Sequence, residues 1–368
     1  MTPSSHRAPV LAAAAASRAR VVSAVSAAIA ARARVATAIG APIASRARIV
    51  TAIVAAIATL VALLAQTAHA DAASDRLAAI DRLIAKGTPD SLAAAAALQQ
   101  FGAESDSGAY RLISRAVQLA PDRADLAWLA VRLCASSSDC DDAAPEKHLH
   151  EIDPANGIGS TGALTRAQRK NDVAGIDAAL TAIANSERFY VYFDPLVAAT
   201  ATELAAVRQQ STAPSPKETA RATMDMMGVV AASVLPPTQS FTYSCKGLAL
   251  QQVPGRLDLC RRAARGFSRA DTFLVEGLGL SLQQQLWPLD SAEGRAITAQ
   301  RRVFQYRMEE YSRLNISASK LDEFPTDALD VFRTHAREQD AALVYFAKAG
   351  EPADPPAKWQ SRALPRVP

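Results

Sequence analysis

Two short stretches decide the fold class: LAPDRAD at residues 119–125 and IDPAN at residues 152–156. Each stretch closes one predicted helix and opens the next. Proline lacks an N–H donor and clashes with the preceding turn inside a helix, but it fits at a helix start. Because Pro121 and Pro154 are 33 residues apart, they predict two similar junctions between helices.

Helical patterns continue on both sides of these junctions. Polar capping residues, apolar side chains spaced by about 3.6 residues and terminal glycines together predict helices. The sequences SPKE at 215–218 and DSAE at 290–293 are capping boxes. The predicted helices run from Ser74 to Gly87, from Asp90 to Phe101 (stopped at Gly102), through Tyr110, Ile113 and Val117, from Asp125 to Cys134, from Ser215 to Val234, from Asp271 to Leu286, from Asp290 to about Leu314, and from Thr326 to Gly350.

Strand patterns are scarce. The aromatic run FYVYF at 189–193 fits a short strand, or the end of a helical hairpin in which Asp194 caps the next helix. Beyond residue 350, Pro352, Pro355 and Pro356 predict an extended tail that Trp359 docks onto the core. The sequence therefore predicts an all-α fold.

Residues 106–185 resemble the tetratricopeptide repeat family. The resemblance lies in Ala116-x-x-Leu119-x-Pro121 and in the spacing of the two proline junctions, and it does not extend beyond residue 190. It implies stacked antiparallel helical hairpins that form an α-superhelix with a concave interaction surface. The chain as a whole also resembles uncharacterised secreted bacterial proteins with a helical-repeat front half. Four regions are expected: an N-terminal extension with a signal peptide at 1–70, repeats at 71–210, a C-terminal helical region with a disulfide at 211–350, and a Pro-rich tail at 351–368.

The basic character of the chain comes from its N-terminal segment. Residues 1–70 contain seven arginines and no Lys, Asp or Glu, while the remainder has 33 basic and 36 acidic groups, a net charge of −3. The overall pI of about 8.9 thus belongs to the leader. We therefore expect no nucleic-acid partner, since the part that folds is slightly acidic.

The leader ends in an export signal. Arg46 and Arg48 precede an apolar run at 49–65, and small residues stand before Asp71 in the A-x-A pattern of a signal peptidase site. We expect cleavage near Ala70 and a periplasmic or secreted protein, and membrane attachment only through an uncleaved leader, which is the alternative. Residues 1–48 resemble a transit peptide in composition, and whether they are a genuine part of the protein stays open.

The four cysteines predict disulfides. They form the patterns Cys134-x5-Cys140 and Cys245-x14-Cys260, and an even count in an exported chain is typical of disulfide bonds. Four cysteines allow three connectivities. We expect Cys134 to pair with Cys140 and Cys245 with Cys260, because each of these pairs brackets a loop between helical segments. The spacing does not fit a zinc site, and no metal is expected.

Several motifs could carry chemistry, and each has a plainer explanation. The sequence GIGSTG at 157–162 fits the dinucleotide pattern G-x-G-x-x-G, with Asp177 twenty residues past the first glycine, but no strand precedes it. Close packing of helices explains it, so no cofactor is expected. His148 and His150 point to different faces of a helix, and His335 stands alone on the surface.

Other fragments of motifs are incomplete. Glu104-Ser105 resembles the opening of a lytic transglycosylase motif, and Ser317-x-x-Lys320 fits S-x-x-K, but the partner motifs are absent from the sequence. Gly277 and Gly279 interrupt a helix, which predicts either a close helix–helix approach or a ligand pressed against the backbone. Arginines at 261, 262, 265 and 269 form a basic strip, either a solvated face or a polyanion site.

These patterns favour a non-enzymatic helical-repeat protein of the bacterial cell envelope, with an interaction or scaffold role and an unidentified protein partner. No catalytic residue is predicted. The alternative is an envelope hydrolase with its catalytic residues in the C-terminal half. A pocket of converging carboxylates with shifted pKa values would favour the enzyme, and an open groove of mixed side chains would favour binding.

Overall fold

The computed structural model describes residues 74–100, 106–137, 140–141, 143–317, 325 and 327–361, and within these ranges the protein is all-α. No strand forms in the described ranges, where isolated bridges join Asn156 to Arg188 and Phe189 to Ala270. None of the described helices combines the length and apolarity needed to span a bilayer. The predictions for residues 1–70 lie outside the described residues.

The helices are numbered in chain order, with a 3₁₀ helix at Gly157–Ser160 between α5 and α6. They are α1 (74–86), α2 (Pro89–Gln99), α3 (Asp106–Leu119), α4 (Ala124–Cys134), α5 (Ala143–Ile152), α6 (Thr161–Arg169), α7 (Val173–Asn185), α8 (Phe193–Gln209), α9 (Pro216–Val234), α10 (Gln239–Ser244), α11 (Leu248–Gln252), α12 (Arg256–Phe267), α13 (Phe273–Leu286), α14 (Ala292–Ser317), α15 (Ala328–Thr334) and α16 (Glu338–Ala349).

Local capping fixes several of the predicted helix starts. The Ser215 hydroxyl accepts a hydrogen bond from the Glu218 N–H at 3.3 Å, and α9 then runs to Val234 as expected. At α14 the cap is Ser291, one residue past the expected Asp290, since its hydroxyl accepts from the Gly294 N–H at 2.9 Å. Thr88 caps α2, two residues before the expected Asp90.

The single helix expected from Thr326 to Gly350 is wrong, because the segment forms two helices, α15 and α16. The break lies where Glu338 bonds to the start of α13. Its N–H donates to the Asp271 carbonyl at 2.8 Å, and its carboxylate accepts from the Phe273 N–H at 2.9 Å. Long-range bonds at this point replace the continuation of the helix.

The run FYVYF does not form a strand, and Asp194 does not cap the helix that follows it. Residues 190–192 have no regular structure, and α8 begins at Phe193 after Tyr192 takes a left-handed conformation with φ of 57°. Asp194 lies in the first turn of α8, where neither of its buried carboxylate oxygens has a hydrogen-bond partner. The capping carboxylate comes instead from Asp271, which accepts from the N–H groups of Val191 and Tyr192.

Helix α8 lies at the centre of the described part of the chain and packs against α2, α9 and α15. Consecutive helices also pack in pairs: α2 on α3, α3 on α4, α4 on α5, and α6 on α7. Pro121 lies in the turn between α3 and α4, and Pro154 lies in the turn after α5. One apolar core joins residues before and after position 210, among them Leu92, Trp128, Leu204, Val230 and Phe332.

A second core is aromatic and lies between α13, α14 and α16. Phe273, Tyr311 and Tyr345 pack in series, with ring centroids 5.6 and 6.0 Å apart. The tail docks onto the same region as expected, because the Trp359 ring meets Tyr306 edge-on at 5.4 Å. The Tyr306 hydroxyl also donates to the Pro352 carbonyl at 2.9 Å.

The cysteines lie in the two neighbouring pairs at disulfide distance. The Cα atoms of Cys134 and Cys140 are 5.4 Å apart, and those of Cys245 and Cys260 are 5.6 Å apart. The first bridge closes the loop between α4 and α5. The second ties the end of α10 to α12. Loop closure of this kind stabilises the fold mainly by restricting the unfolded chain.

Candidate ligand-binding groove

A polar cleft of about 290 Å³ opens where α4, α6 and the segment after α9 meet. The lining of the cleft combines arginines, hydroxyl and amide side chains with one tryptophan. Its principal lining residues are Gln100, Trp128, Arg132, Glu146, Thr161, Gly162, Thr165, Arg166, Arg169 and Pro237. Three arginines face one carboxylate, so the lining carries a net positive charge although residues 71–368 together are slightly acidic.

One ion pair forms part of the wall of this cleft. The Arg166 guanidinium donates to both oxygens of Glu146, at 2.8 and 2.5 Å, in the two-bond geometry that matches a guanidinium to a carboxylate. Gly162 makes room for the pair, since a Cβ at that position would lie 1.5 Å from the Glu146 Oε1 atom. Gly162 therefore shapes the wall of the cleft through its missing side chain.

Arg132 stands apart from that pair. It lies one helical turn after Trp128 on α4, with its guanidinium carbon 5.9 Å from the centre of the indole ring. The indole N–H donates to the Val234 carbonyl at 3.0 Å, which fixes the ring beneath the arginine. The buried Nε atom of Arg132 has no hydrogen-bond partner, and burial lowers the pKa of Arg132.

The cleft continues into a depression of about 420 Å³, because Thr165, Arg169 and Pro237 line both. The depression adds Gln168, Gln239, Ser240 and the exposed ring of Tyr243. Cleft and depression together are called the groove below. Its side chains offer amides, hydroxyls, an aromatic face and guanidinium groups, a mixture suited to an extended polar ligand.

A cluster of carboxyl groups lies elsewhere, where the starts of α8, α13 and α16 converge. We call Asp194, Asp271, Glu276 and Glu338 the carboxyl cluster. Asp271 is 1% exposed and accepts from the N–H groups of Val191 and Tyr192 at 2.9 and 2.7 Å. Glu276 accepts from the Gln339 amide at 2.7 Å. These four carboxyls line neither part of the groove.

The pKa values of the carboxyl cluster are raised. Burial raises the pKa of Asp194 to about 9, and the nearby charges of Glu338, Asp271 and Asp340 act in the same direction. Burial also raises the pKa of Asp271 to about 7 against the effect of its backbone hydrogen bonds. Burial raises the pKa of Glu338 to about 7 as well. Since the effect of burial dominates at all three, these groups favour their neutral forms.

The glycine motif lies in a helical context. Gly157 and Gly159 belong to the 3₁₀ helix and Gly162 to α6, after α5 and a turn. A Cβ at Gly157 would lie 2.5 Å from the Ser186 hydroxyl oxygen. The strand–turn–helix unit that a dinucleotide fingerprint requires is not formed in this described stretch. Two of the three glycines thus stand in close contact with neighbouring side chains.

The remaining candidate residues are held by local contacts. A ring nitrogen of His148 lies 2.9 Å from the Pro121 carbonyl, and one of His335 lies 2.9 Å from the Val331 carbonyl. In the described residues no group of three His, Cys, Asp or Glu side chains could hold a metal ion. Glu104, Ser105 and Lys320 lie outside the described residues, and Ser317 is the last residue of α14.

The four arginines of the basic strip, which lie on α12 and just after it, differ in their contacts. Arg261 and Arg265 both stand over the Trp287 ring, with guanidinium carbons 5.1 and 5.0 Å from its centre. Arg261 also donates twice to the Leu286 carbonyl, and Arg269 donates to the Ser186 carbonyl at 3.4 Å. Arg262, Arg265 and Arg269 are all exposed, but Arg261, Arg265 and Arg269 each contact a neighbouring helix end or the Trp287 ring.

Gly279 shows why α13 tolerates glycine. A Cβ there would lie 2.3 Å from the Ser268 backbone nitrogen, and at Gly277 it would lie 2.7 Å from the Phe304 ring. The close helix–helix approach predicted from the sequence is therefore confirmed.

Neither the groove nor the carboxyl cluster was predicted from the sequence. The one local signal was Arg132 four residues after Trp128 on an apolar helix.

Comparisons of the chain with protein-family models, with curated proteins and with solved structures find no match.

Proposed function

We propose that this chain is a non-enzymatic binding protein of the bacterial cell envelope, which engages a protein partner through the groove. The observation that carries the proposal is the groove itself: an open, net-positive surface of mixed polar side chains with an exposed aromatic ring at one end. Amphipathic aromatics and arginines are the residues that supply most binding energy at protein interfaces.

The proposal extends the resemblance to tetratricopeptide repeats. Successive packing of α3 to α5, followed by the pair α6 and α7, supports a repeat-like organisation of residues 106–185. In such arrays the inner helices of neighbouring units line a common surface. Since α4 and α6 both contribute to the cleft, the groove is the surface where we propose that the partner binds.

The alternative function, an envelope hydrolase, rests on the carboxyl cluster in the C-terminal half. Raised pKa values and converging carboxyls are typical of acid–base catalysts. However, Asp194 and Asp271 are each 1% exposed, and both oxygens of Asp271 already accept backbone hydrogen bonds. A substrate would have to reach them through packed helices, so we favour binding.

Photo-crosslinking from defined positions tests the binding function. A photoreactive residue at Gln168 or Tyr243 should give adducts of discrete mass in the envelope of the native host, whereas one at Leu289 should not. Leu289 is 68% exposed and lines neither part of the groove. Arg169→Glu should abolish the adducts, since it reverses a charge in the shared wall, while Arg262→Glu should leave them unchanged. Equal labelling from Leu289, or adducts indifferent to Arg169→Glu, would count against the proposal.

Export is part of the same proposal, and the two disulfide-distance cysteine pairs support it, because such bonds persist in oxidising compartments. We expect the protein from its native host to begin at or near Asp71, as measured by mass spectrometry of the intact chain and of its N-terminal peptide. A mature product that still contains residues 49–65 would indicate an uncleaved membrane anchor instead.

A further inference from the structure

Arg132 is a cation with no counterion among the residues that the structure describes. Within the described part of the chain it forms no ion pair, and its buried Nε atom donates to no acceptor. Its neighbours on α4 are apolar, with Trp128 beneath it and Val131 beside it in the cleft wall. The other cleft arginine that is half-buried, Arg166, is by contrast paired with Glu146 through two hydrogen bonds.

A cation in this position costs the protein stability. Removing a guanidinium from water is unfavourable unless an anion or several acceptors replace the lost hydration. Arginine cannot escape the cost by losing its proton, because its pKa remains far above neutral in proteins. Stacking on an indole offsets part of it. Arg132 lines a cleft of about 290 Å³, which is large enough for a small polar group.

We propose that Arg132 is the anchor of a carboxylate-binding site at the inner end of the groove, which takes a ligand ending in a free carboxylate. The proposal rests on the proposed binding function and names the chemistry recognised there. A planar carboxylate accepts two parallel N–H···O bonds from one guanidinium fork. Held over Trp128, that fork is restricted in its orientation and therefore selects a planar anion.

The charges in the cleft favour a monoanion over a phosphate. Arg166 is already engaged by Glu146, and Arg169 is exposed at the boundary with the depression. A single partly buried guanidinium thus remains for the ligand, and it matches the one negative charge of a carboxylate. A carboxylate at Arg132 leaves the rest of an extended ligand to run past Thr165 and Arg169 toward Tyr243.

Calorimetric titration of the full chain tests the site with a matched set of probes: an acetylated tripeptide with a free C-terminal carboxylate, the same tripeptide as its amide, a uronic acid glycoside, and inorganic phosphate. We expect the free acids to bind and the amide to bind roughly 10- to 100-fold more weakly, since a charge-assisted bond is lost. The tripeptide and the glycoside distinguish a peptide from an acidic sugar as the source of the carboxylate. Equal binding of acid and amide, or stronger binding of phosphate than of either acid, would overturn the assignment.

The variant Arg132→Met separates a binding role from a structural one. Methionine keeps the apolar contact with Trp128 but removes the charge. We expect the unliganded variant to unfold at the same temperature as the parent or a higher one, and to lose carboxylate binding by the same factor. Arg262→Met, which removes an exposed arginine outside the groove, should change neither quantity. A lower unfolding temperature with undiminished carboxylate binding would show that Arg132 serves only packing.

The carboxylate site and the proposed binding of a protein partner can fail independently of each other. Crosslinks at Gln168 and Tyr243 without carboxylate binding would leave the binding protein in place and remove its anchor. Carboxylate binding lost in Arg132→Met, with no crosslinks from the groove, would instead show a small-molecule site on a surface that no protein partner covers.

Discussion

Raising the pH from 5 to 8 is expected to lower the free energy of unfolding by roughly 4–10 kcal/mol, because carboxyls of raised pKa bind more protons in the folded state than in the unfolded one. In the unfolded chain these groups titrate near pH 4. In the folded protein the pKa is about 7 for Asp271 and Glu338 and about 9 for Asp194. Their contribution is therefore fully present below pH 4 and is lost as the pH rises through these values.

The slope follows from the linkage between protons and folding. Each such group lowers the unfolding free energy by up to about 1.4 kcal/mol for each pH unit between its two pKa values. Urea denaturation at pH 5, 6.5 and 8 measures the effect. The cluster also faces Asp340 and Arg337, so the groups titrate together and only their sum is observed. A stability that is constant or that rises over this range would contradict the assignment.

Asp194→Asn identifies the largest contributor. Neither oxygen of Asp194 has a hydrogen-bond partner in the described part of the chain. Replacement by a neutral amide of the same shape therefore loses no hydrogen bond and removes the ionisable group. We expect the variant to be more stable than the parent at pH 8, with a smaller difference at pH 5, where the parent carboxyl is already protonated. Asp122→Asn, in an exposed turn, should change neither value. Asp271→Asn should destabilise at every pH, since Val191 and Tyr192 donate to different oxygens of Asp271 and the amide replaces one of these oxygens by an NH2 donor.

The cluster also shows where prediction from the sequence ends. Helix starts such as Ser215 and helix stops such as Gly87 are local, because a hydroxyl or a left-handed glycine acts within four residues. For that reason the all-α class could be predicted, together with the approximate bounds of six of the sixteen helices in the described residues. The cap of α8 comes from Asp271, about 80 residues away in the chain, and the same contact region splits 326–350 into two helices. No local pattern carries that information.

The groove could not be predicted from the sequence for a similar reason. Arg132 four residues after Trp128 is visible in the sequence, but the same pattern describes any arginine that stacks on a tryptophan at the surface. What distinguishes Arg132 is burial without an acceptor, and burial depends on how α4, α6 and the segment after α9 come together. Similarly, Gly162 belongs to a motif that suggested a nucleotide, whereas its contact is with the Glu146 carboxylate.

Gly279→Ala is expected to be strongly destabilising, by about 1–3 kcal/mol, which is the usual cost of adding a methyl group to a packed interface. Its Cβ would lie 2.3 Å from the Ser268 nitrogen and 2.6 Å from the Phe267 carbonyl carbon. Both atoms belong to the backbone at the end of α12, so no side-chain rotation relieves the overlap. The two helices must separate, and this separation also disturbs the stacked rings of Phe189 and Phe267, whose centroids are 4.1 Å apart.

Gly228→Ala is the matched control, because the substitution is the same and the surroundings are open. Gly228 lies inside α9, is exposed, and has no atom within 4 Å of the position that an alanine methyl group would take. Alanine is favoured over glycine in an exposed helix interior by about 1 kcal/mol, so this variant should become more stable. Thermal unfolding compares the two variants, with a shift of roughly 2–4 °C for each kcal/mol in a chain of this size. If Gly279→Ala were as stable as the parent, α12 and α13 could not approach as closely as the structure shows, and the glycine would require the ligand-based explanation instead.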